Sequence, residues 1–232
     1  MNIALLIAGG VGSRMNQNIP KQFMEVFEKP VIVYTLEKFE KHPSIDIIAV
    51  ACLEGWENVL ESYVEKYSIK KLKHIIKAGS TGQESIKNGL FALKEMYSKE
   101  DYIIIHDANR PMVSGDIISD CLVVAKEKGN AIACIPCQEA MLETSDMVSS
   151  NSSYPRANLK RTQTPHCFKL NDIVQIHNKA KELDITNSIA SCTLAIETGE
   201  TVYFSQGSEK NIKITTQDDI DIFKALLKGR NE

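Results

Sequence analysis

Three segments far apart in the chain carry residues suited to holding phosphates. The first is Ala8-Gly9-Gly10-Val11-Gly12-Ser13-Arg14-Met15, followed by Pro20-Lys21-Gln22. Closely spaced glycines let the backbone approach a ligand and aim successive N–H groups at an anion. Arg14 and Lys21 set positive charge beside that turn. Neither the dinucleotide fingerprint nor the P-loop pattern is present. The second segment is His106-Asp107-Ala108-Asn109-Arg110-Pro111. Ligands of open α/β sheets sit beyond the carboxyl ends of strands, and an acid there can hold Mg²⁺ together with phosphate oxygens. His106 reads as a structural hydrogen bonder. The third is Asn211-Ile212-Lys213-Ile214-Thr215-Thr216, in which Lys213 alternates with two isoleucines and points off their face. It could reach a phosphate or lie in solvent. Asp218 and Asp219 read as first-turn acids of a helix.

No Ser-His-Asp or Cys-His constellation stands out, so the chemistry these segments suit is electrostatic. The six cysteines are scattered, mostly in apolar stretches. Cys134-Ile135-Pro136-Cys137 has a redox or zinc spacing, but no second pair follows, and buried packing is the better reading. Such usage suits a reducing cytoplasm.

These residues need a frame. Asn2–Ala8, Asp46–Cys52, His74–Ala78, Tyr102–His106 and Ala131–Pro136 are continuous apolar runs, as expected of parallel strands covered on both faces. Between them lie amphipathic stretches, Val31–Lys41, Trp56–Tyr67, Gln83–Tyr97 and Gly115–Lys128. The alternation predicts an α/β fold with right-handed crossovers. Later come a helix over Leu170–Leu183, strands over Val202–Gln206 and Asn211–Ile214, and a closing helix over Asp218–Leu227. Gln138–Lys160 breaks the rhythm: it is polar, with a serine-rich turn between two short runs that could pair. An isolated hairpin is marginal in water, so this excursion is expected to lie on something, plausibly a second subunit.

The 232 residues suffice for one large domain, and 43% apolar with 25% charged residues match ordinary globular protein. A net charge of −3 gives no reason to expect nucleic-acid or anionic-membrane binding. The longest apolar runs fall short of the ~20 residues a membrane span needs. The amino terminus lacks a basic region and reads as a strand, not a signal peptide.

Taken together, the segments resemble the cytidylyltransferases that make CDP-alcohols, which act on 2-C-methyl-D-erythritol 4-phosphate or ribitol 5-phosphate. The glycine turn with Arg14-Met15, Pro20-Lys21-Gln22, His106-Asp107-Ala108-Asn109-Arg110-Pro111, Thr164-Pro165-His166 and Asn211-Ile212-Lys213-Ile214-Thr215 match that family's pattern in order. The resemblance implies a Rossmann-like nucleotidyltransferase domain over residues 1–232, with residues 138–160 as a β-arm that interlocks with a partner in a homodimer. It makes Ala8, Gly9, Gly10 and Gly12 the cradle for CTP, and Arg14, Lys21 and Lys213 the phosphate cations. Asp107 would hold Mg²⁺ beside the ribose. Ser85, with backbone groups at Gly79 and Ser80, would face the cytosine. Arg110, Arg156 and Thr164 would shape the acceptor side.

Four departures accompany the match. Gly82 stands where many relatives carry arginine, and Ala140 stands at the arm threonine of the methylerythritol enzyme. No carboxylate aligns within residues 185–192, and His166 replaces the glutamine of Thr-Pro-Gln. A wall, capsule or glycan polyol phosphate is therefore the expected acceptor, with the methylerythritol phosphate of isoprenoid precursor synthesis as the alternative.

Overall fold

The computed structural model describes residues 1–10, 19–186 and 188–229. In chain order the elements are β1 (Asn2–Ala8), the short pair β2 (Glu25–Val26) and β3 (Lys29–Pro30), α1 (Val31–Lys41), β4 (Ile47–Cys52), α2 (Glu57–Lys66) and β5 (Leu72–Lys77). There follow α3 (Gly82–Leu93), β6 (Tyr102–Asp107), α4 (Gly115–Lys128), β7 (Asn130–Pro136), β8 (Met141–Glu143) and β9 (Ser152–Tyr154). The chain closes with β10 (Lys160–Lys169), α5 (Leu170–Glu182), α6 (Ser191–Glu197), β11 (Phe204–Gln206) and α7 (Gln217–Lys228).

One sheet of order β11-β7-β10-β6-β1-β4-β5 runs through the molecule. Its strands pair in parallel except β10, which runs antiparallel between β6 and β7. The continuous apolar strands follow from burial on both faces. Leu6, Val50 and Ile104 pack with Leu36 and Phe39 of α1 and Ile118 and Cys121 of α4. Leu5, Ala49 and Ile105 face Leu90 and Leu93 of α3, Ile173 of α5 and Leu194 of α6. β1 lies between β4 and β6, so the chain reverses its direction of sheet growth there, and such a point opens a crevice at the strands' carboxyl ends.

Three elements differ from the sequence expectation. β10 was hidden by its polar start and by Pro165, which lacks the N–H a ladder needs; the register shifts between Thr162 and His166. α6 lies in a stretch with no clear helical period. Asn211–Ile214 is not a strand. It has no ladder neighbour, and a two-bond clamp to a loop holds it extended: Ile214 N–H donates to Asn109 O at 2.9 Å, and Asn109 Nδ2 donates to Ile214 O at 2.6 Å.

The excursion over 138–160 contains the expected hairpin. β8 and β9 pair antiparallel, Met141 opposite Tyr154. At its tip, Asp146 accepts from the backbone N–H groups of Val148 and Ser149. Residues 138–158 are exposed throughout, Met147 at 86% and Val148 at 91%. Among the described residues, no helix is long and apolar enough to cross a membrane.

Candidate active site

The turn leaving β1 is held by the last residue of the Pro20-Lys21-Gln22 motif, to which residue type alone assigns no role. Buried Gln22 donates from Nε2 to Ala8 O at 2.7 Å and to Gly10 O at 3.0 Å. It sits in a single 3₁₀ turn, Lys21–Phe23, so the same short element that anchors the turn also carries Lys21. Gly9 is glycine for want of space: a Cβ there would come within 2.5 Å of Ala78 Cβ and 2.9 Å of Ser85 Oγ. Gly12 and Arg14 lie outside the described residues.

The facing wall is the loop before α3. Thr81 caps the helix, its hydroxyl accepting from Glu84 N–H. Gly79 N–H donates to Ser85 Oγ at 3.0 Å, and the Ser85 hydroxyl donates to Thr81 O at 2.8 Å. Ser80 gives both its N–H and its hydroxyl to the Glu84 carboxylate. Ser85 is thus buried and shapes this loop, and the amides of Gly79 and Ser80 are engaged within it.

Asp107 ends β6 and is the electrostatic centre. Lys213 Nζ lies 3.0 Å from its Oδ1, and Arg110 Nε lies 3.0 Å from its Oδ2. Burial alone would raise its pKa, but the Lys213 and Arg110 charges outweigh that and hold the carboxyl well below the usual carboxylate range. Thr164 Oγ1 accepts the Asp107 N–H at 3.0 Å. Buried Asn211 donates to Thr164 O and accepts from Arg110 Nη1 through its own carbonyl. This network, with the Asn109 clamp, aims Lys213 at Asp107. His106 is fully buried, its pKa lowered to about 3 chiefly by burial, and Nε2 meets Arg110 O at 3.2 Å. That is the structural role its sequence position suggested.

Two cavities open on this centre. One, of about 360 Å³, is lined by Gly9, Gly10, Lys21, Gly79, Ser80 and Ser85. The other, of about 220 Å³, is lined by Ile86, Arg110, Thr162, Thr164, His166 and Ser191. Asp107, Lys213, Ile7 and Gly82 line both. A larger depression of about 500 Å³, at the start of β7, holds none of the expected residues. Ala8 takes part through its carbonyl and not as a lining residue. Arg156 lines neither cavity: it sits on the arm, and Nη1 donates to Gln138 O at 2.8 Å.

Among the described residues no group of three His, Cys, Asp or Glu side chains could form a protein-only metal site. Among the described residues, Asp107 is the only carboxylate lining either cavity. One carboxylate fits Mg²⁺, which keeps waters and takes its remaining ligands from substrate phosphates.

Comparison with known proteins agrees with this geometry. A ribitol-5-phosphate cytidylyltransferase of Lacticaseibacillus paracasei is 39% identical over 99% of each chain. One of Vibrio parahaemolyticus is 41% identical over 98% of this chain and 96% of its own. A 2-C-methyl-D-erythritol 4-phosphate cytidylyltransferase of Clostridium botulinum is 36% identical over 97% of both. The crystal structure of 4-diphosphocytidyl-2C-methyl-D-erythritol synthase from Anaerococcus prevotii superposes with a TM-score of 0.82, covering 98% of this chain and 96% of its own, at 23% identity. The family model for 2-C-methyl-D-erythritol 4-phosphate cytidylyltransferase matches residues 2–229, and the chain belongs to that family.

Proposed function

We propose that this protein transfers CMP from CTP to a polyol phosphate, ribitol 5-phosphate first, giving a CDP-alcohol and pyrophosphate. The observation that carries the reading is the shared wall: two cavities meet at Asp107 and Lys213. The larger takes the nucleotide against the glycine turn and Lys21. The smaller takes the alcohol phosphate beside Arg110 and Thr164.

The chemistry asks little of proton transfer. A phosphate monoester has a second pKa of about 6, so the attacking group is largely dianionic at pH 7 and needs no general base. The obstacle is repulsion between the two phosphates. Lys213, Lys21 and Arg110 supply preorganised positive charge where negative charge builds, and Arg14 is expected to join them. Bound by Asp107 and phosphate oxygens, Mg²⁺ would neutralise further charge on the triphosphate.

Ribitol 5-phosphate is preferred because the two relatives named for it are 39% and 41% identical, against 36% for the methylerythritol enzyme of Clostridium botulinum, and because Ala140 and the carboxylate-free stretch 185–192 depart from the methylerythritol enzyme. The exposed arm, with Leu142, Met147 and Val148 uncovered, supports a homodimer in which a second copy seats it and brings Arg156 toward an acceptor cavity. Six free, buried cysteines suit a cytoplasmic setting.

The test is purified protein with CTP, Mg²⁺ and a panel of alcohol phosphates, following pyrophosphate release. Ribitol 5-phosphate should turn over fastest. Faster release with 2-C-methyl-D-erythritol 4-phosphate would move the enzyme to isoprenoid precursor synthesis, and silence on every acceptor would sink the reading.

A further inference from the structure

Lys213 reaches the shared wall from the extended segment Asn211–Ile214, which belongs to no sheet. Something other than a strand ladder must hold that segment still. Downstream, the Asn109 clamp holds Ile214. Upstream, the anchor is Gln163 of β10, a buried side chain. Gln163 Nε2 donates to Ser208 O at 2.8 Å, and its Oε1 accepts the Ser208 N–H at 3.1 Å. A side-chain amide carries the same donor and acceptor as a peptide unit. By exchanging both bonds with one residue, Gln163 does for Ser208 what an opposing residue does in an antiparallel ladder.

A short turn relays this pairing toward Lys213. Ser208 O also accepts the Asn211 N–H at 2.9 Å, and Gln163 Oε1 also accepts from Asn211 Nδ2 at 3.3 Å. Just before it, Gly207 N–H donates to Cys134 O at 2.9 Å. The chain passes so close there that a Cβ on Gly207 would come within 2.7 Å of Gln163 Oε1. Gln163 falls within the register shift of β10 between Thr162 and His166, and such irregularities commonly re-aim a side chain beside an active site. The Lys213 backbone is thus pinned on both sides, while its side chain stays exposed and lines both cavities.

We propose that Gln163 is a positioning residue for Lys213: its amide fixes the Ser208–Asn211 turn and thereby sets where the ammonium meets the reacting phosphates. The inference rests on the function proposed above. Electrostatic stabilisation depends on charge held in place before reaction, and a misplacement of about 1 Å can cost about a hundred-fold in rate. Gln163 acts through Lys213 and brings no charge of its own.

The test is a double-mutant cycle in steady-state kinetics, with CTP, Mg²⁺ and the alcohol phosphate that wild type turns over fastest. Gln163→Met keeps the length of the side chain and removes its amide. Gln163→Asn keeps the amide and withdraws it from Ser208 by one methylene. Each should lower kcat by about ten-fold or more, and by no more than Lys213→Ala does. In the Lys213→Ala background, either substitution should change kcat by less than about two-fold, while lowering the urea midpoint as much as it does with Lys213 present. That split separates positioning from a general loss of structure. Unchanged kcat in both single variants overturns the inference. So does a cost of equal size in both backgrounds, which would route the effect through another group such as Arg110. If one variant does not fold, the other carries the cycle. If neither folds, Gln163 serves the fold as a whole and the inference is overturned. If wild type transfers CMP to no alcohol phosphate at all, the proposed function fails and takes the inference with it.

Discussion

Lys213 Nζ stands 3.0 Å from Asp107 Oδ1, a contact between residues 106 positions apart. Lys213 is 41% exposed on its side chain while Asp107 is 19% exposed, so the ammonium faces the open cavities and its partner anchors it from behind. The lysine is preorganised by a carboxylate that Arg110 also neutralises. Its charge is held in place before any phosphate arrives.

Lys213→Ala and Lys21→Ala should each lower kcat by ~10²–10³, the usual loss when one preorganised charge-stabilising group is removed. Neither side chain belongs to the apolar core, so unfolding midpoints should stay close to wild type. Steady-state kinetics with urea melts checks both halves. Near wild-type turnover in either variant would show that its charge does not meet the reacting phosphates.

Gln22→Ala should weaken the glycine turn before it weakens the fold. It strands the Gly10 carbonyl and leaves the Ala8 carbonyl with the Leu53 N–H alone, a loss of about 1–3 kcal/mol for a polar group left unpaired. The KM for CTP should rise while the KM for the acceptor is spared. Gln22→Glu should be worse, since a carboxylate cannot donate to either carbonyl. Equal CTP affinity in all three proteins would show that the turn needs no such anchor.

The arm makes a prediction about assembly. Leu142 is 65% exposed on β8, and Val148 is 91% exposed at the hairpin tip. If the arm seats on a second copy as proposed, Leu142→Asp should shift sedimentation from dimer to monomer and reduce activity. Arg156→Ala should leave the dimer intact and raise the acceptor KM, with CTP affinity kept. Loss of CTP affinity with an unchanged acceptor KM would place Arg156 in the wrong cavity.

Three histidines set an acid limit. Burial lowers His106 to about 3, and His166 and His177 to about 4, from an ordinary 6.5. Between pH 6.5 and about 4 the unfolded chain binds protons that the folded chain refuses. Stability should therefore fall as pH drops through that window, by up to about 1.4 kcal/mol per pH unit for each histidine. Urea midpoints between pH 7 and pH 4.5 measure this. A flat profile would mean the rings protonate in place.

The sheet was legible because its strands are continuous apolar runs and its helices keep a clean period; α1 and α4 begin and end where the sequence placed them. β10 was not, because a proline and the five polar residues before it disguise a strand buried mainly in its second half. In the site, Gly9, Lys21, Asp107, Thr164 and Lys213 could be picked out by residue type and brought to adjoining walls. Gln22, Asn109 and Asn211 stand inside the motifs picked out but were given no role, because they act through backbone carbonyls, and a sequence does not say which carbonyl a distant amide will find. Ser85, expected to face a base, lines the larger cavity, and its hydroxyl is engaged within the loop that borders it.

The partition common to both chambers has a consequence for inhibition. A nucleoside tethered to a polyol through a non-hydrolysable pyrophosphate mimic would occupy both at once and straddle Asp107 and Lys213. Its second half binds intramolecularly, at an effective concentration on the order of millimolar for a short link. Such an analogue of the CDP-alcohol product should therefore hold far more tightly than either half alone.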